Sequence, residues 1–484
     1  MFKKALSLIL SCIFVFSCFT FSSSAKSLPD FEMTDAQWTE YWEENKGNFS
    51  QMQLYVGADE TELNFCWHSK KSGEKPVVRI GLSENMEVYS EFEGTFIAHG
   101  ENWQANYVTA KGFEEGKVYY YSYAVGDEEF SVPQMYRTLE SDKFKALYVS
   151  DVQPGEDDDG YANTNAAIWN NLLTTALSKN DDISFILNCG DMTNSGKSNN
   201  EWAAIMAPKA LRNIPTTATY GNHDKKGDTY KYFVNLPNAN KALSTSPDGD
   251  EYYFRYGDVL FINLNSTNYN VFNEYQFVEK AVSENSDAKW RVVMFHHDVY
   301  GPGHHAGDND TKLLSAIYTA ICDEFDIDIC FTGHEHYYGR SYFMYDDKVV
   351  DIDYTQNKAV DPEGTLYLTA GSAGGRNRSY DETFDYEWLC FEYMSEELTY
   401  STVEFDDTTF SLYTYDLDGN VIDDYTIEKT DSEFKEFDSN DGLLDTNAID
   451  RLLRNFTGEF YVIFEVIYKI IDIVKSAIAG ILNK

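Results

Sequence analysis

The chain has 484 residues, of which 43% are hydrophobic, so it is long enough for two or three domains with real cores. It carries 80 acidic and 38 basic residues, which gives a formal net charge of -42 at pH 7. This charge argues against a nucleic-acid backbone as a partner and suits a soluble extracellular protein.

Residues 1–25 have the pattern of a secretory signal peptide. Lys3 and Lys4 form a charged start, an apolar stretch follows, and Ser23, Ser24 and Ala25 resemble a small-residue cleavage site. The apolar stretch is too short and too close to the N-terminus to favour a permanent membrane span. We therefore expect a protein that is secreted or displayed at the cell surface.

Five cysteines remain after removal of this segment, and their odd number and unpaired spacing favour free, buried thiols over a disulfide framework. They are Cys66, Cys189, Cys322, Cys330 and Cys390.

Residues 26–140 read as an N-terminal all-β domain. Short alternating segments, broken by Gly, Asp, Glu and Lys, run through most of it without a long helical period. This alternation of short strand-like segments and turns predicts a β-sandwich. Trp67 on an early strand and a Tyr-rich later strand fit a fibronectin-like version.

Residues 141–430 change to strands that alternate with helices, which predicts an α/β layered domain with both sheet faces covered. Residues 431–484 form a tail in which Glu465, Lys469 and Asp472 make a narrow polar stripe on a largely apolar helix. We expect this amphipathic helix to pack on another domain or a sister chain, or alternatively to lie on a membrane surface.

Five short blocks within residues 141–430 place potential metal ligands directly after apolar runs. They are SDVQ with Asp151, CGDM with Asp191, GNHD with Asn222, His223 and Asp224, MFHHD with His296 and His297, and GHEH with His334 and His336. In an α/β sheet the carboxyl ends of the strands meet at one edge, where ligands bind. Asp, Asn and His together suit Zn, Fe or Mn.

Two metal ions lying roughly 3.5–4 Å apart need a shared ligand, and a carboxylate can bridge where an imidazole cannot. Asp191 is the predicted bridge because the preceding glycine permits a tight turn. Asp151 and His336 then complete one metal site. The other is completed by Asn222, His296 and His334.

The blocks resemble those of the metallophosphoesterase (calcineurin-like) superfamily, and within it the purple acid phosphatase-like proteins. SDVQ, GDMTNSG, GNHD, VVMFHH, GHEHYYGRS and GTLYLTAGSAGG carry the resemblance. It implies a four-layer β-sandwich flanked by helices, preceded by the all-β fibronectin-like sandwich and followed by the amphipathic helical tail. It also implies two divalent or trivalent metal ions that activate a water, so that metal-bound hydroxide attacks a phosphomonoester.

The same resemblance implies roles for further residues. His223 is expected to assist the transition state or the leaving group, and Asp224 to orient or tune its imidazole. A second acid follows the MFHHD block in the family, and either His304 or His305 falls near that position. His297 is expected to support the site without ligating, and Arg340 to form a structural ion pair.

Two positions depart from the family pattern. Purple acid phosphatases carry a Tyr ligand three residues after the bridging Asp, where this chain has Asn194. Other superfamily members have a His two residues after the first Asp, where this chain has Gln153. Gln153 can supply an amide oxygen to the metal, or water can fill the place.

The sequence thus predicts a secreted acid phosphatase-like enzyme that acts on a small phosphorylated substrate. The alternatives are a phosphodiesterase or nucleotidase on the same site, or a non-catalytic surface-binding protein. The tail adds possible self-association or contact with a membrane surface.

Overall fold

The structure is a computed structural model that describes residues 27–155, 160–240, 250–268, 271–303, 305–306, 308–376 and 386–430. The predicted signal peptide at 1–25, the predicted tail at 431–484 and His304 lie outside the described residues. Predictions that concern them stay predictions.

The helices of the described part are α1 Asp35–Asn45, α2 Asn163–Lys179, α3 Asn199–Met206, α4 Val271–Glu284 and α5 Asn309–Glu324. The first strands are β1 Gln53–Val56, β2 Glu62–Lys70, β3 Pro76–Gly81, β4 Tyr89–Glu93, β5 Thr95–His99, β6 Trp103–Lys111, β7 Val118–Val125 and β8 Gln134–Arg137. The next are β9 Phe144–Val149, β10 Ile183–Asn188, β11 Tyr252–Tyr256, β12 Val259–Asn263, β13 Trp290–Met294, β14 Ile329–His336 and β15 Tyr338–Tyr345. The last are β16 Lys348–Val349, β17 Lys358–Val360, β18 Thr365–Gly371, β19 Leu389–Tyr393, β20 Thr399–Phe405, β21 Thr409–Asp416 and β22 Val421–Glu428.

After α1, the N-terminal part contains only strands between Gln53 and Arg137, as the sequence predicts. Its strands form two four-stranded sheets, β1-β2-β6-β5 and β4-β3-β7-β8. Phe65, Trp67, Val78 and Tyr121 belong to one buried cluster that both sheets share. The fibronectin-like assignment of this sandwich remains a prediction.

Two larger sheets follow, and they pack face to face. One has the strand order β10-β9-β20-β21-β22-β17, and the other has the order β11-β12-β13-β14-β18-β15-β16, with β19 beside β15. Phe144, Phe185, Phe261 and Phe405 fill the space between them. Helices α2 and α3 share a core with the first sheet, and α4 and α5 with the second. The predicted layered sandwich flanked by helices is confirmed.

Parallel pairing explains why the inner strands are buried and largely apolar. β9 pairs with β10 in parallel, and β12, β13, β14 and β18 form a parallel run. Strands covered on both faces have no polar side to present to water. A parallel bridge between Ser150 and Ser372 joins the two sheets just beyond β9 and β18, so the loops after the parallel strands open at a common edge.

The N-terminal sandwich and the two-sheet sandwich are joined by backbone hydrogen bonds. Thr216 donates to Leu54 O over 3.0 Å and accepts from the Val56 amide over 3.3 Å. On its other side, the Ile186 amide donates to Pro215 O over 2.9 Å. The segment around Thr216 therefore sits between β1 and β10 and links their sheets.

The cysteines of the described part are all free, as predicted. Cys66, Cys189, Cys322 and Cys330 are buried, and Cys390 is half-buried. Among the described residues, we find no helix long and apolar enough to cross a membrane.

Candidate metal centre

Asp191, His296 and His334 converge at the common edge of the two sheets. One ligand atom from each lies within 4.8 Å of the others, and all three residues are buried. Asp191 follows β10, His296 follows β13, and His334 lies on β14, so three different strands deliver one side chain each. A buried set of one carboxylate and two imidazoles fits a metal ion such as Zn, Fe or Mn.

Asp151 and His336 form a second pair beside this triad. Asp151 Oδ1 lies 3.3 Å from His336 Nε2, and both side chains are fully buried. Neither atom makes a hydrogen bond within the described part of the chain. Buried polar atoms are normally satisfied, so two facing orphan ligand atoms fit a cation between them. Asp151 and His336 are the two residues that the sequence assigns to one metal ion, and this assignment stays a prediction.

Hydrogen bonds to backbone carbonyls fix which imidazole nitrogen faces each set. His296 Nδ1 donates to Cys189 O over 3.0 Å, which turns Nε2 toward Asp191 and Asn222. The Nε2 atom lies 3.2 Å from Asp191 Oδ2 and 3.1 Å from Asn222 Oδ1. His336 Nδ1 likewise donates to a backbone carbonyl, that of Arg376. Such outer contacts are typical of metal-binding histidines.

The predicted ligands sit on strained backbone. Asp151, Asp191, His334 and His336 have φ values of 53°, 46°, 76° and 67°, in the left-handed region. Non-glycine residues avoid this region unless the surrounding structure imposes it, and such strain clusters at functional sites. Gly190 has φ 103°, and a Cβ there would lie 2.8 Å from His296 Nδ1. This position therefore requires glycine for both conformation and space.

The two carboxylates are held ionised despite burial. Burial alone would raise the pKa of Asp191, but the His296 imidazole more than offsets it and brings the pKa well below 3.8. Burial would also raise the pKa of Asp151, but His336 outweighs this effect and the pKa is lowered. Burial would lower the pKa of His296, but Asp191 raises it to about 9. Asp191 and His296 therefore form a buried ion pair.

His223 lies at this edge, with its backbone amide donating to Asp191 Oδ1 over 2.8 Å. Its Nδ1 lies 2.9 Å from Asn194 O and 3.0 Å from Asn194 Oδ1. Lys226 Nζ approaches the same nitrogen at 2.7 Å. Burial lowers the pKa of His223, against the pull of Asp191 in the other direction. The neutral imidazole is therefore favoured at neutral pH.

The role expected of Asp224 needs correction. Its carboxylate accepts from the backbone amides of Met192, Thr193 and Gly221, at 3.2, 3.0 and 3.1 Å, and has no hydrogen bond to the His223 ring. Burial and the nearby Asp191 raise the pKa of Asp224 to about 7. Asp224 ties together the turns after β10 and before His223, while Asn194 makes the orienting contact with the imidazole.

Two further histidines predicted at the site, His297 and His305, lie beside His334. The ring of His297 lies 4.6 Å from that of His334, and the His297 Nδ1 contacts Ser266 Oγ at 2.8 Å. Burial and the adjacent His296 lower the pKa of His297 to about 3, so it stays neutral. The ring of His305 stacks on His334 at 4.5 Å, and its Nδ1 lies 2.9 Å from Asp308 Oδ2. His305 is thus placed beside the site, whereas His304 lies outside the described residues.

Arg340 lies away from these side chains and pairs with Asp423. Its Nε and Nη2 donate to the two carboxylate oxygens over 2.8 and 3.0 Å, and both side chains are 5% exposed. It is a structural ion pair, as expected.

Sequence reasoning missed one residue at the site, Arg376. Its Nη1 donates to Gln153 Oε1 and to Asn194 Oδ1, each over 2.8 Å. Gln153 in turn donates its amide to Asp191 Oδ2. The Gln153 oxygen therefore faces a guanidinium rather than the metal set. The signal available in the sequence was a basic residue, Arg376, directly after Gly374 and Gly375, which follow β18.

The two-sheet sandwich, with carboxylates and imidazoles gathered at its strand ends, is similar to the arrangement in metallophosphoesterases. Comparison with known proteins agrees. The profile of the calcineurin-like phosphoesterase family matches residues 144–338. Purple acid phosphatase 1 of Ipomoea batatas is 23% identical over 394 residues, covering 72% of this chain and 77% of that protein.

A solved structure supports the fold. Purple acid phosphatase PPD1 from yellow lupin (Lupinus luteus) seeds superposes with a TM-score of 0.65 at 14% identity, covering 78% of this chain and 74% of the other. Residues 144–338 thus match the calcineurin-like phosphoesterase family, and most of the chain is similar to purple acid phosphatases. Phosphoesterases of this type use two metal ions, and the Asp191 triad fits one of them.

Proposed function

We propose that this protein is a secreted, dinuclear metal-dependent phosphatase that hydrolyses small phosphomonoesters. The observation that carries the proposal is the buried triad of Asp191, His296 and His334, whose ligand atoms lie within 4.8 Å of one another. The homology to purple acid phosphatases supports the same activity.

The ligand sets divide as follows. Asp151 and His336 would hold one metal ion; Asn222, His296 and His334 would hold the other, and Asp191 would serve both. When bound, the metal ions supply Lewis acidity to the phosphoryl group and lower the pKa of a water. The negative chain attracts an anionic substrate only through such local positive charge.

His223 would protonate or stabilise the leaving-group oxygen. Asn194 holds the Nδ1 side of its ring, and Nε2 has no hydrogen-bond partner within the described residues. That nitrogen is therefore available to a substrate. An imidazole kept neutral by burial needs to gain a proton before it can donate one, which links turnover to mildly acidic pH.

The test combines metal analysis with turnover. Purified protein should contain two metal ions per chain and hydrolyse an aryl phosphomonoester faster than a bis-aryl phosphodiester. Asp191→Ala should lose metal and at least about 10³-fold in turnover, because it removes the shared ligand. Asp127→Ala, which changes an exposed aspartate of the N-terminal part, is the matched control.

Each outcome separates the alternatives. Faster diester hydrolysis would move the proposal to a phosphodiesterase or nucleotidase. Intact protein that binds no metal and turns over neither ester would point to a non-catalytic surface-binding protein.

Secretion and the roles of the tail belong to the same proposal. The charged and apolar pattern of residues 1–25 supports export, and the amphipathic pattern of 431–484 supports self-association or contact with a membrane surface. N-terminal sequencing of exported protein should find residue 26 at the start. A protein retained inside the cell with Met1 intact contradicts export.

A further inference from the structure

Arg376 connects the two positions at which this chain departs from its relatives. Its Nη1 donates to Gln153 Oε1 and Asn194 Oδ1, each over 2.8 Å. These are the places where the family pattern has additional metal ligands. The guanidinium thus engages both side-chain oxygens that could otherwise have turned to the metal ion that Asp151 and His336 would hold, called the first metal below.

The backbone of Arg376 is tied to the ligand strands. Its amide donates to Ser372 Oγ over 3.0 Å, and Ser372 Oγ donates to Asp151 O over 2.8 Å. Its carbonyl accepts from His336 Nδ1. The residue is therefore fixed relative to both first-metal ligands, and its side chain is half-buried at the site.

The charge of Arg376 lies close to His223 and to the residue that contacts Asp191. Arg376 and His223 contact the same oxygen, Asn194 Oδ1, at 2.8 and 3.0 Å. Gln153 links the guanidinium to Asp191, because the Gln153 amide donates to Asp191 Oδ2. A guanidinium is permanently charged, and its planar array of donors matches phosphate oxygens. A chain of net charge -42 gains most from such a fixed local cation.

We propose that Arg376 is a substrate-binding residue whose guanidinium, positioned by Gln153 and Asn194, holds a phosphoryl oxygen of the substrate. It thereby supplies positive charge on the side of the site where the first metal lacks its additional protein ligand. The proposal rests on the proposed phosphatase function and adds a specific determinant of phosphate affinity.

Arg376→Gln tests the charge while keeping an amide donor near Gln153 and Asn194. The variant should keep its metal content and melting temperature, and bind orthophosphate about 10- to 100-fold more weakly, as expected for one charge-assisted contact. The KM for an aryl phosphate should rise in parallel. Arg376→Lys should recover part of this affinity, and Arg79→Gln in the N-terminal part should match the wild type.

Two results overturn the proposal while leaving the phosphatase function intact. In one, Arg376→Gln turns over and binds orthophosphate like the wild type. In the other, the variant loses metal along with activity, which makes Arg376 a support for the ligands. Absence of metal and of turnover in the wild type would instead contradict the proposed function.

A measurement on the wild type covers the case of a variant that does not fold. Phenylglyoxal modifies arginines, and mass spectrometry locates the products. Orthophosphate should slow the labelling of Arg376 but not of Arg79 in the metal-loaded protein. Equal labelling of Arg376 with and without orthophosphate contradicts the proposal.

Discussion

Asp191 Oδ2 lies 3.2 Å from His296 Nε2, with both side chains fully buried. Although burial lowers it, Asp191 raises the pKa of His296 to about 9, so these two side chains form a buried ion pair. This pairing offsets part of the cost of burying the two charges. A bound metal ion would replace it with coordination bonds.

Metal removal should consequently leave a folded protein. We expect chelation to lower the melting temperature without abolishing the cooperative transition, since the apoprotein keeps its buried pairs. Saturating metal at about 1,000 times Kd should add about 4 kcal/mol of stability through binding to the folded state alone. Calorimetry with and without chelator measures both. An apoprotein without a thermal transition contradicts this expectation.

His223 and Asn194 should affect turnover in the same direction but to different extents. His223→Ala should reduce kcat by about 10² to 10⁴-fold, and more for an alkyl phosphate than for an aryl phosphate, because an alkoxide needs more help to leave. Asn194→Ala should cost less, since the Asn194 carbonyl still lies 2.9 Å from the imidazole. Steady-state rates for both esters provide the measurement. Equal losses on both esters argue against leaving-group assistance.

Gly190 offers a test of how tightly the site is packed. Gly190→Ala should destabilise the protein and weaken metal binding, because its Cβ would lie 2.8 Å from His296 Nδ1. Gly73→Ala is the matched control, since Gly73 has φ 78° and open space around it. The control should cost about 1 kcal/mol from backbone conformation alone and leave metal affinity unchanged. Denaturant unfolding and metal titration separate the two effects.

A buried acid away from the site should make stability depend on pH. Burial and the neighbouring Asp250 raise the pKa of Glu251 from 4.5 to about 7. A raised pKa gives stability that is fully present below the unfolded value near 4.5 and lost as pH rises through about 7. Unfolding free energies should therefore fall from pH 5 to pH 8.

Glu251→Gln should flatten this dependence. The amide cannot ionise, and its oxygen can still accept from Asn240, which donates to Glu251 over 2.7 Å. The variant should gain about 1–3 kcal/mol over the wild type at pH 8 and little at pH 5. Glu128→Gln, at an exposed glutamate, serves as the control. A parallel pH profile for Glu251→Gln and the wild type contradicts the assignment.

The parts of the fold and site that follow from local pattern were predictable. Asp151, Asp191 and His296 each come just after a buried parallel strand, and parallel strands bring their carboxyl ends together whatever the loops contain. The contact of Arg376 with Gln153 depends on loops 223 residues apart, and no local pattern encodes it. The role of Asp224 depended on which backbone amides the neighbouring turns present.

Helix α1 shows the same limit. Thr34 caps this helix through reciprocal hydrogen bonds with Gln37. The sequence groups this helix with the N-terminal strands. Trp38 and Trp42 instead pack with Ala162 and Ala204, next to α2 and α3. Apolar side chains specify burial but not the partner, which is set by long-range topology.

The hydrogen bonds of Thr216 with Leu54 and Val56 bear on how this protein can be divided for study. Expression of residues 141–430 alone would strip β1 from the segment around Thr216. A bare row of amide and carbonyl groups beside β10 would then face water and invite other strands to pair with it. Such a fragment would be prone to aggregate even with every metal ligand in place, so the soluble unit for biochemistry includes the N-terminal sandwich.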